Sequence, residues 1–219
     1  MGNYNGKFIT LEGIEGVGKT TNRDFIRSVL ETTGNAIVET REPGGTPLGE
    51  ALRELLLHHR HAGMCADAEL LMMFAARAEH LDKVILPALH AGKVVLCDRF
   101  TEATYAYQGG GRGLNDKKIA ELETWVQGDL RPDLTIILDA PVATGRQRAG
   151  ARSAPDRIEK EENDFFERVR HTYLELARHY PNRIALVDAS VALDKVHDQI
   201  VHVLAEHGII DSPDNSPDK

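Results

Sequence analysis

Gly13-Ile14-Glu15-Gly16-Val17-Gly18-Lys19-Thr20 follows the spacing G-x-x-x-x-G-K-T, whose residue types suit the cradling of a polyphosphate. Glycines let backbone N–H groups turn inward onto phosphate oxygens, and the N-terminus of a following helix adds partial positive charge. Lys19 is expected to set an ammonium against the β and γ phosphates of ATP, and the Thr20 hydroxyl to ligate Mg2+. Thr21, the next residue, joins the same nucleotide-binding set. The bland alternative is a glycine-rich turn that merely joins two elements, so the motif needs a strand before it and a helix after it. Glu15 places an acid inside this loop.

A second pair, Asp98-Arg99, directly follows the apolar run Val94-Val95-Leu96-Cys97. A carboxylate at the carboxyl end of a strand can hold the hydration shell of Mg2+, and an arginine beside it can clamp an anion on the acceptor side. The alternative for Asp98 is a plain strand-end residue. A phosphate loop does not choose among kinases, GTPases and mechanical ATPases. The guanine-selecting pattern N-K-x-D does not occur, and Asn115-Asp116-Lys117-Lys118 does not satisfy it. His58, His59 and His61 invite a metal reading, but no cysteine or paired carboxylate completes a tetrahedral set. Trp125, in the helical run from Ile119 to Val126, is expected to pack rather than to bind a ligand.

These side chains need a scaffold, and the sequence patterning supplies one. Lys7 to Glu12 reads as a strand running into the glycine loop, and Thr20 to Thr33 as a helix, with Phe25, Ile26, Val29 and Leu30 at helical spacing and Gly34 ending it. Ala36 to Thr40 is a short strand, Arg41 to Pro47 a turn, and Leu48 to about His58 a helix. A long helix is expected from Asp67 to about His90, bent or ended near Pro87. Lys93 to Asp98, Leu134 to Asp139 and Arg183 to Asp188 are further strands, apolar enough to be covered on both faces. Glu159 to Glu162 reads as the first turns of a helix whose apolar face carries Phe165, Phe166, Val169, Tyr173 and Leu176. Leu193 to Glu206 forms a last helix. Alternating strands and helices predict an α/β fold, a doubly wound parallel sheet of about five strands in three layers.

Bulk properties narrow the function classes. At 219 residues the chain suits one domain, taken as 1–210, with the Pro-, Asp- and Ser-rich stretch 211–219 expected to be a disordered tail. A formal net charge of -8 argues against a nucleic acid polymer as partner, since polymer binding needs an extended basic surface. No apolar run approaches the ~20 residues that span a bilayer, and Met1 to Gly6 carries no leader signature. With two cysteines, Cys65 and Cys97, the second inside an apolar run, a cytoplasmic protein without a disulfide is expected.

Several segments then come together. Glu12-Gly13, the phosphate loop, Thr40-Arg41-Glu42-Pro43-Gly44-Gly45-Thr46, Phe74-Ala75-Ala76-Arg77, Asp98-Arg99-Phe100, Ala106-Tyr107-Gln108-Gly109-Gly110-Gly111-Arg112-Gly113 and Asp156-Arg157-Ile158-Glu159 resemble bacterial thymidylate kinase in order and separation. The resemblance covers about Lys7 to Glu206, and it implies a P-loop kinase that moves the γ-phosphoryl of ATP to dTMP. Other readings on the same scaffold are a kinase for another nucleotide or a deoxynucleoside, or a non-catalytic P-loop nucleotide-binding module.

By the same resemblance, Arg53 and Arg99 hold the dTMP phosphate, and Glu42 and Glu15 lie near its sugar and phosphate. Arg77 and Gln108 meet the thymine edge, with Thr104 near the base. The aromatic ring usual four residues before the base-reading arginine is here Met73; either Met73 supplies a softer contact or the neighbouring Phe74 takes over. A lid at about 141–160, containing Arg146-Gln147-Arg148-Ala149-Gly150-Ala151-Arg152-Ser153, would deliver Arg152 to the transition state and pack Arg148 on adenine. At Gly150 some relatives carry a further arginine. The family also implies a homodimer.

Overall fold

The computed structural model describes residues 4–61, 63–149 and 156–211. Five parallel strands, β1 (Lys7–Glu12), β2 (Ile37–Arg41), β3 (Val94–Asp98), β4 (Leu134–Asp139) and β5 (Ile184–Asp188), form one sheet in the order β2-β3-β1-β4-β5. Every pairing is parallel, as the continuous apolar runs predict for a sheet covered on both faces. Successive residues of β1 point opposite ways: Ile9 and Leu11 enter a large cluster with Ile26 and Leu30, while Phe8 joins Val95, Cys97, Leu81, Ile85 and Leu89. Helices therefore sandwich the sheet, giving the three-layer P-loop NTPase architecture.

The helices are α1 (Lys19–Glu31), α2 (Pro47–Leu57), α3 (Ala66–His80), α4 (Leu86–His90), α5 (Thr101–Thr104), α6 (Asp116–Gln127), α7 (Val142–Ala149), α8 (Asn163–His179) and α9 (Leu193–Glu206). Asn22, Ile26 and Leu30 bury one face of α1, a spacing of four residues. Phe165, Phe166, Val169, Tyr173 and Ala177 do the same for α8.

One expectation is narrowed and two need correction. The long helix reaches His90 as expected and is distorted rather than ended near Pro87: it runs through a wide turn, Leu81–Ile85, and continues as α4, because widening the turn relieves the missing N–H and ring clash of proline. The acidic stretch 159–162 is not helical, and α8 begins at Asn163 with Glu162 as its N-cap; Asp156 holds the preceding turn by accepting from the backbone N–H of Ile158 and Glu159. Trp125 is 82% exposed rather than packed, since Ile119 and the partly buried Leu122 and Val126 carry the inward face of α6.

Strand register brings the site together. Leu11 of β1 and Arg41 of β2 both pair with Asp98 of β3, so the loops leaving three strands open side by side. Beyond β3 the chain turns through α5 into a second wide turn, Tyr105–Gly111. A Cβ on Gly110 would lie 2.1 Å from Thr172 Oγ1, and one on Gly111 2.5 Å from Phe165 Cε2. The glycine run thus lets this turn press against α8, and it keeps Tyr107 close to the phosphate loop.

Candidate active site

The phosphate loop links β1 to α1. Its glycines Gly16 and Gly18 sit at φ 76° and 92°, which a side chain would resist. Ile14 and Val17 are buried in the core, so these residues offer a ligand main chain rather than side chain. Lys19 Nζ donates to the carbonyls of Gly13 and Ile14 at 3.0 and 2.9 Å. Burial, with Arg99 nearby, pushes its ammonium down to about 8.

One cleft of about 310 Å³ gathers most of the expected residues: Glu15, Gly16, Gly18, Lys19 and Thr20 from the loop side, and Glu42, Arg53, Met73, Arg77, Asp98, Arg99 and Thr104 around them. That volume is at the small end of ligand sites. Thr21 is exposed at the start of α1 and is not part of the wall. Arg148 lies elsewhere, on α7, donating to the carbonyl of Ala189 just past β5 at 3.1 Å. Arg152 falls outside the described residues, as does most of the expected lid beyond α7.

The cations in the cleft are differently held. Arg99 has φ 70°, rare for a residue with a side chain, and its flanks explain the conformation. Its N–H donates to the Leu11 carbonyl at 3.0 Å, and the next N–H, of Phe100, donates to Glu12 Oε1 at 2.7 Å. The guanidinium meets Glu15 Oε1 at 2.7 Å and the Tyr173 hydroxyl at 3.3 Å, and it covers the Tyr107 ring at 4.7 Å. Tyr107 in turn donates to both oxygens of Glu15 at 2.9 Å. Arg53 Nη1 donates to the Pro43 carbonyl at 2.9 Å.

Arg77 is held on every side but one. Its Nε donates to Glu42 Oε2 at 2.8 Å and its Nη2 to Thr104 Oγ1 at 3.0 Å. Phe74 and Phe100 cover its faces at 4.8 and 5.0 Å. Nη1 is buried without a partner among the described residues, as is Asp98 Oδ1. Buried polar atoms are rarely left unpaired, so both atoms call for a partner in the cleft.

Glu42, Phe74 and Gln108 are each held by partners within the protein. Glu42 lines the cleft and pairs there with Arg77 and His80. Phe74 is buried under the Arg77 guanidinium, while Met73 faces the cleft. Gln108 is fully buried outside the wall, its Nε2 donating to Glu69 at 2.8 Å.

Sequence reading also missed partners. Glu12, the acid that ends β1, accepts from Phe100 and from the Tyr173 hydroxyl, the latter at 2.7 Å, and burial pushes its carboxyl up to about 8. An acid at the end of a buried strand was the available signal. Glu69 gathers Gln108, Arg112 and Arg157; an acid in the first turn of a helix, beside Asp67, gives no hint of that.

Comparison with known proteins agrees with the motifs. The family profile described as Thymidylate kinase matches residues 11–200. A Thymidylate kinase of Pseudomonas syringae pv. tomato is 58% identical over 201 residues, 92% of this chain and 96% of that one. One of Nitrosospira multiformis is 54% identical over 200 residues, 91% of this chain and 97% of the other. The crystal structure of thymidylate kinase from Ehrlichia chaffeensis superposes with a TM-score of 0.75 at 34% identity, covering 91% of this chain and 98% of that one.

Proposed function

The chain belongs to the thymidylate kinase family and phosphorylates dTMP with ATP, and we propose that the transfer takes place in the cleft between Lys19 and Arg77. The loop amides from Gly13 to Thr21 and the Lys19 ammonium hold the ATP phosphates. Arg53 and Arg99 hold the dTMP phosphate, because a dianion brought up to ATP has to be neutralised by fixed cations before transfer. Glu15 keeps Arg99 aimed and balances its charge between substrates.

The carrying observation is Arg77 Nη1, a buried donor without a partner among the described residues, in the same cleft as the phosphate loop. A thymine carbonyl satisfies that donor, Thr104 flanks it, and Met73 offers a polarisable thioether to the ring. Gln108 then supports the base site through Glu69 rather than touching the base.

Mg2+ fits the donors present. The Thr20 hydroxyl and the Asp98 carboxylate are hard oxygen ligands, and Asp98 Oδ1 lacks a partner among the described residues. Held by those two residues, the ion would supply positive charge against the ATP phosphates. The acceptor is already a phosphate oxygen, so no general base is required; positioning and charge carry the reaction. Arg152 is our assignment for the cation that meets charge on the moving group, a role worth ~10³ to 10⁵ in rate, or about 4 to 7 kcal/mol. Arg148, tethered at the end of β5, is assigned to the adenine face.

A homodimer and a cytosolic location complete the reading. Leu71 on α3 is 56% exposed and Trp125 on α6 is 82% exposed, and such surface suits a partner. Cys65 and Cys97 are free thiols, which suit a reducing compartment. No helix among the described residues is long and apolar enough to cross a membrane.

ADP release measured against dTMP, dUMP, CMP, GMP and thymidine, with and without Mg2+, tests the proposal. Turnover with dTMP that requires Mg2+ supports it; thymidine turned over as fast as dTMP would remove the phosphate-anchoring role of Arg53 and Arg99.

A further inference from the structure

Thr40, Glu42 and Gly45 lie within six residues of one another, and all three converge on one side chain, His80 at the end of α3. His80 is fully buried. Its Nδ1 lies 2.9 Å from Glu42 Oε1 and its Nε2 2.6 Å from Thr40 Oγ1. A Cβ on Gly45, which sits at φ 79°, would lie 2.6 Å from His80 Nε2. Glycine at this position therefore makes room for the imidazole.

The orientation of the hydrogen bonds follows from the partners. The Glu42 carboxylate receives the Arg77 Nε–H on Oε2 and acts as an acceptor toward both neighbours, so Nδ1 of His80 carries the hydrogen. Nε2 then meets the Thr40 hydroxyl, which can serve as either donor or acceptor. The contacts thus join Thr40, His80, Glu42, Arg77 and Thr104 in one series, with Glu42 accepting from both His80 and Arg77 and Arg77 donating to both Glu42 and Thr104. A guanidinium turns about its last side-chain bond unless it is pinned. Here Glu42 pins Nε, Thr104 pins Nη2, and Phe74 and Phe100 fix the plane. What remains is the Nη1 donor, aimed by a carboxylate that His80 holds from its other oxygen.

We propose that His80 is a specificity-determining positioning residue, which acts through Glu42 to fix the plane of the Arg77 guanidinium and so makes the cleft accept a pyrimidine bearing a carbonyl rather than an amino group. The inference rests on the reading that Arg77 faces the base. A fixed donor pairs with a carbonyl and confronts an exocyclic amine with another donor, and a site built this way discriminates through the unpaired group. A guanidinium free to turn would lose that contrast.

His80→Gln and His80→Asn separate the two contacts. The asparagine amide reaches the position of Nδ1 and keeps a donor toward Glu42; the glutamine amide reaches the position of Nε2 and loses it. Steady-state kinetics with dTMP and dCMP are expected to show His80→Gln raising KM for dTMP about tenfold and lowering the dTMP to dCMP preference by about as much. KM for ATP stays within about twofold, and His80→Asn recovers most of the loss. In an Arg77→Ala background His80→Gln adds nothing further to KM for dTMP, because its effect passes through Arg77.

If His80→Gln is recovered unfolded, Thr40→Val carries the test with a change in the same direction. An unchanged KM and preference in His80→Gln, alongside a raised KM in Arg77→Ala, would overturn the role of His80 and leave the base-reading role standing. Arg77→Ala with an unchanged KM for dTMP would overturn the base-reading role, and His80's with it. An equal loss from His80→Gln with and without Arg77 would mark His80 as generally structural and reject the proposal.

Discussion

Arg99, at the carboxyl end of β3, and Glu15, inside the loop after β1, form a 2.7 Å ion pair in the wall of the cleft, each under one-fifth exposed. If the dTMP phosphate binds here as proposed, the two residues would act on that dianion with opposite effect. On the proposed reading, removing Arg99 would delete a phosphate ligand and also leave Glu15 uncompensated beside the incoming charge. Arg99→Ala is therefore expected to lower kcat/KM for dTMP by about 10² to 10³, whereas Glu15→Gln, which keeps a partner for Tyr107, costs less than about tenfold. Steady-state kinetics decide the matter, and equal losses in the two variants would show that Glu15 has its own duty toward substrate or metal.

Lys19 gives a pH signature. Its ammonium, held down to about 8 by burial and by the positive charge of Arg99, loses its proton as pH rises through that value in the free enzyme. Phosphates bound as proposed would restore the charge by pairing with it. A plot of kcat/KM for ATP is thus expected to fall above about pH 8, with kcat much less affected, since kcat/KM reports the free enzyme and kcat the complex. A kcat/KM flat from pH 7 to about 10 would mean that the lysine stays charged in the free loop.

Glu12 predicts the pH dependence of stability. Burial raises its carboxyl from 4.5 to about 8, so between those values the folded chain binds a proton that the unfolded chain has released. Stability then falls as pH rises through this window, by on the order of a few kcal/mol, and levels off above it. Glu12→Gln cannot ionise and keeps an acceptor for the Phe100 N–H. Thermal melts from pH 5 to 9 are expected to show the native protein losing more Tm across the range than the variant; parallel curves would assign the effect to other groups.

The parts of the molecule that local pattern determines were readable from the sequence. Strands covered on both faces leave continuous apolar runs, and the phosphate loop is contiguous, so β1 to β5 and the Lys19 cradle could be placed directly. Partner choice was not readable, because it depends on contacts closed across the fold. Glu42 and Arg77 are 35 residues apart, and Gln108 and Glu69 are 39 apart. A short acid after a strand looks the same whether it meets a sugar or a guanidinium. Trp125 misled for a related reason: helical spacing says that some face of α6 is buried, while α3 decides which face.

Glu69 joins elements that the sequence keeps apart. It is 1% exposed and accepts from Arg157 at 2.5 Å, from Gln108 at 2.8 Å and from Arg112 at 3.3 Å. Burial pushes its carboxyl up, but the Gln108 and Arg157 hydrogen bonds and the charges of Arg112 and Arg157 outweigh it, and the group stays ionised below the usual range. Its contribution is present above the ordinary carboxylate range and lost as pH falls through the folded value. Glu69→Gln leaves the Arg157 guanidinium short of a countercharge, while Arg112 keeps Glu161, and is expected to cost about 3 to 5 kcal/mol. Denaturant titration measures this, and a loss under about 1 kcal/mol would show that solvent or Glu161 takes over.

Met73 and Phe74 are neighbours on α3 with separable fates. Met73 faces the cleft, half-buried, so its thioether is free to meet a base; Phe74 is 2% exposed and lies against the Arg77 guanidinium and the Leu70 and Ile119 side chains. Met73→Ala is expected to raise KM for dTMP several-fold with Tm nearly unchanged, because truncation at a cleft wall removes contact without opening a core cavity. Phe74→Ala opens one, and it is expected to cost about 3 to 5 kcal/mol of stability. It also loosens Arg77, so KM for dTMP rises as a consequence of the lost packing. Parallel melts and kinetics on the two variants distinguish the roles. A Met73→Ala enzyme with native KM and a lowered Tm would reverse the assignment, making the methionine a packing residue and sending the search for the base's stacking partner elsewhere in the cleft.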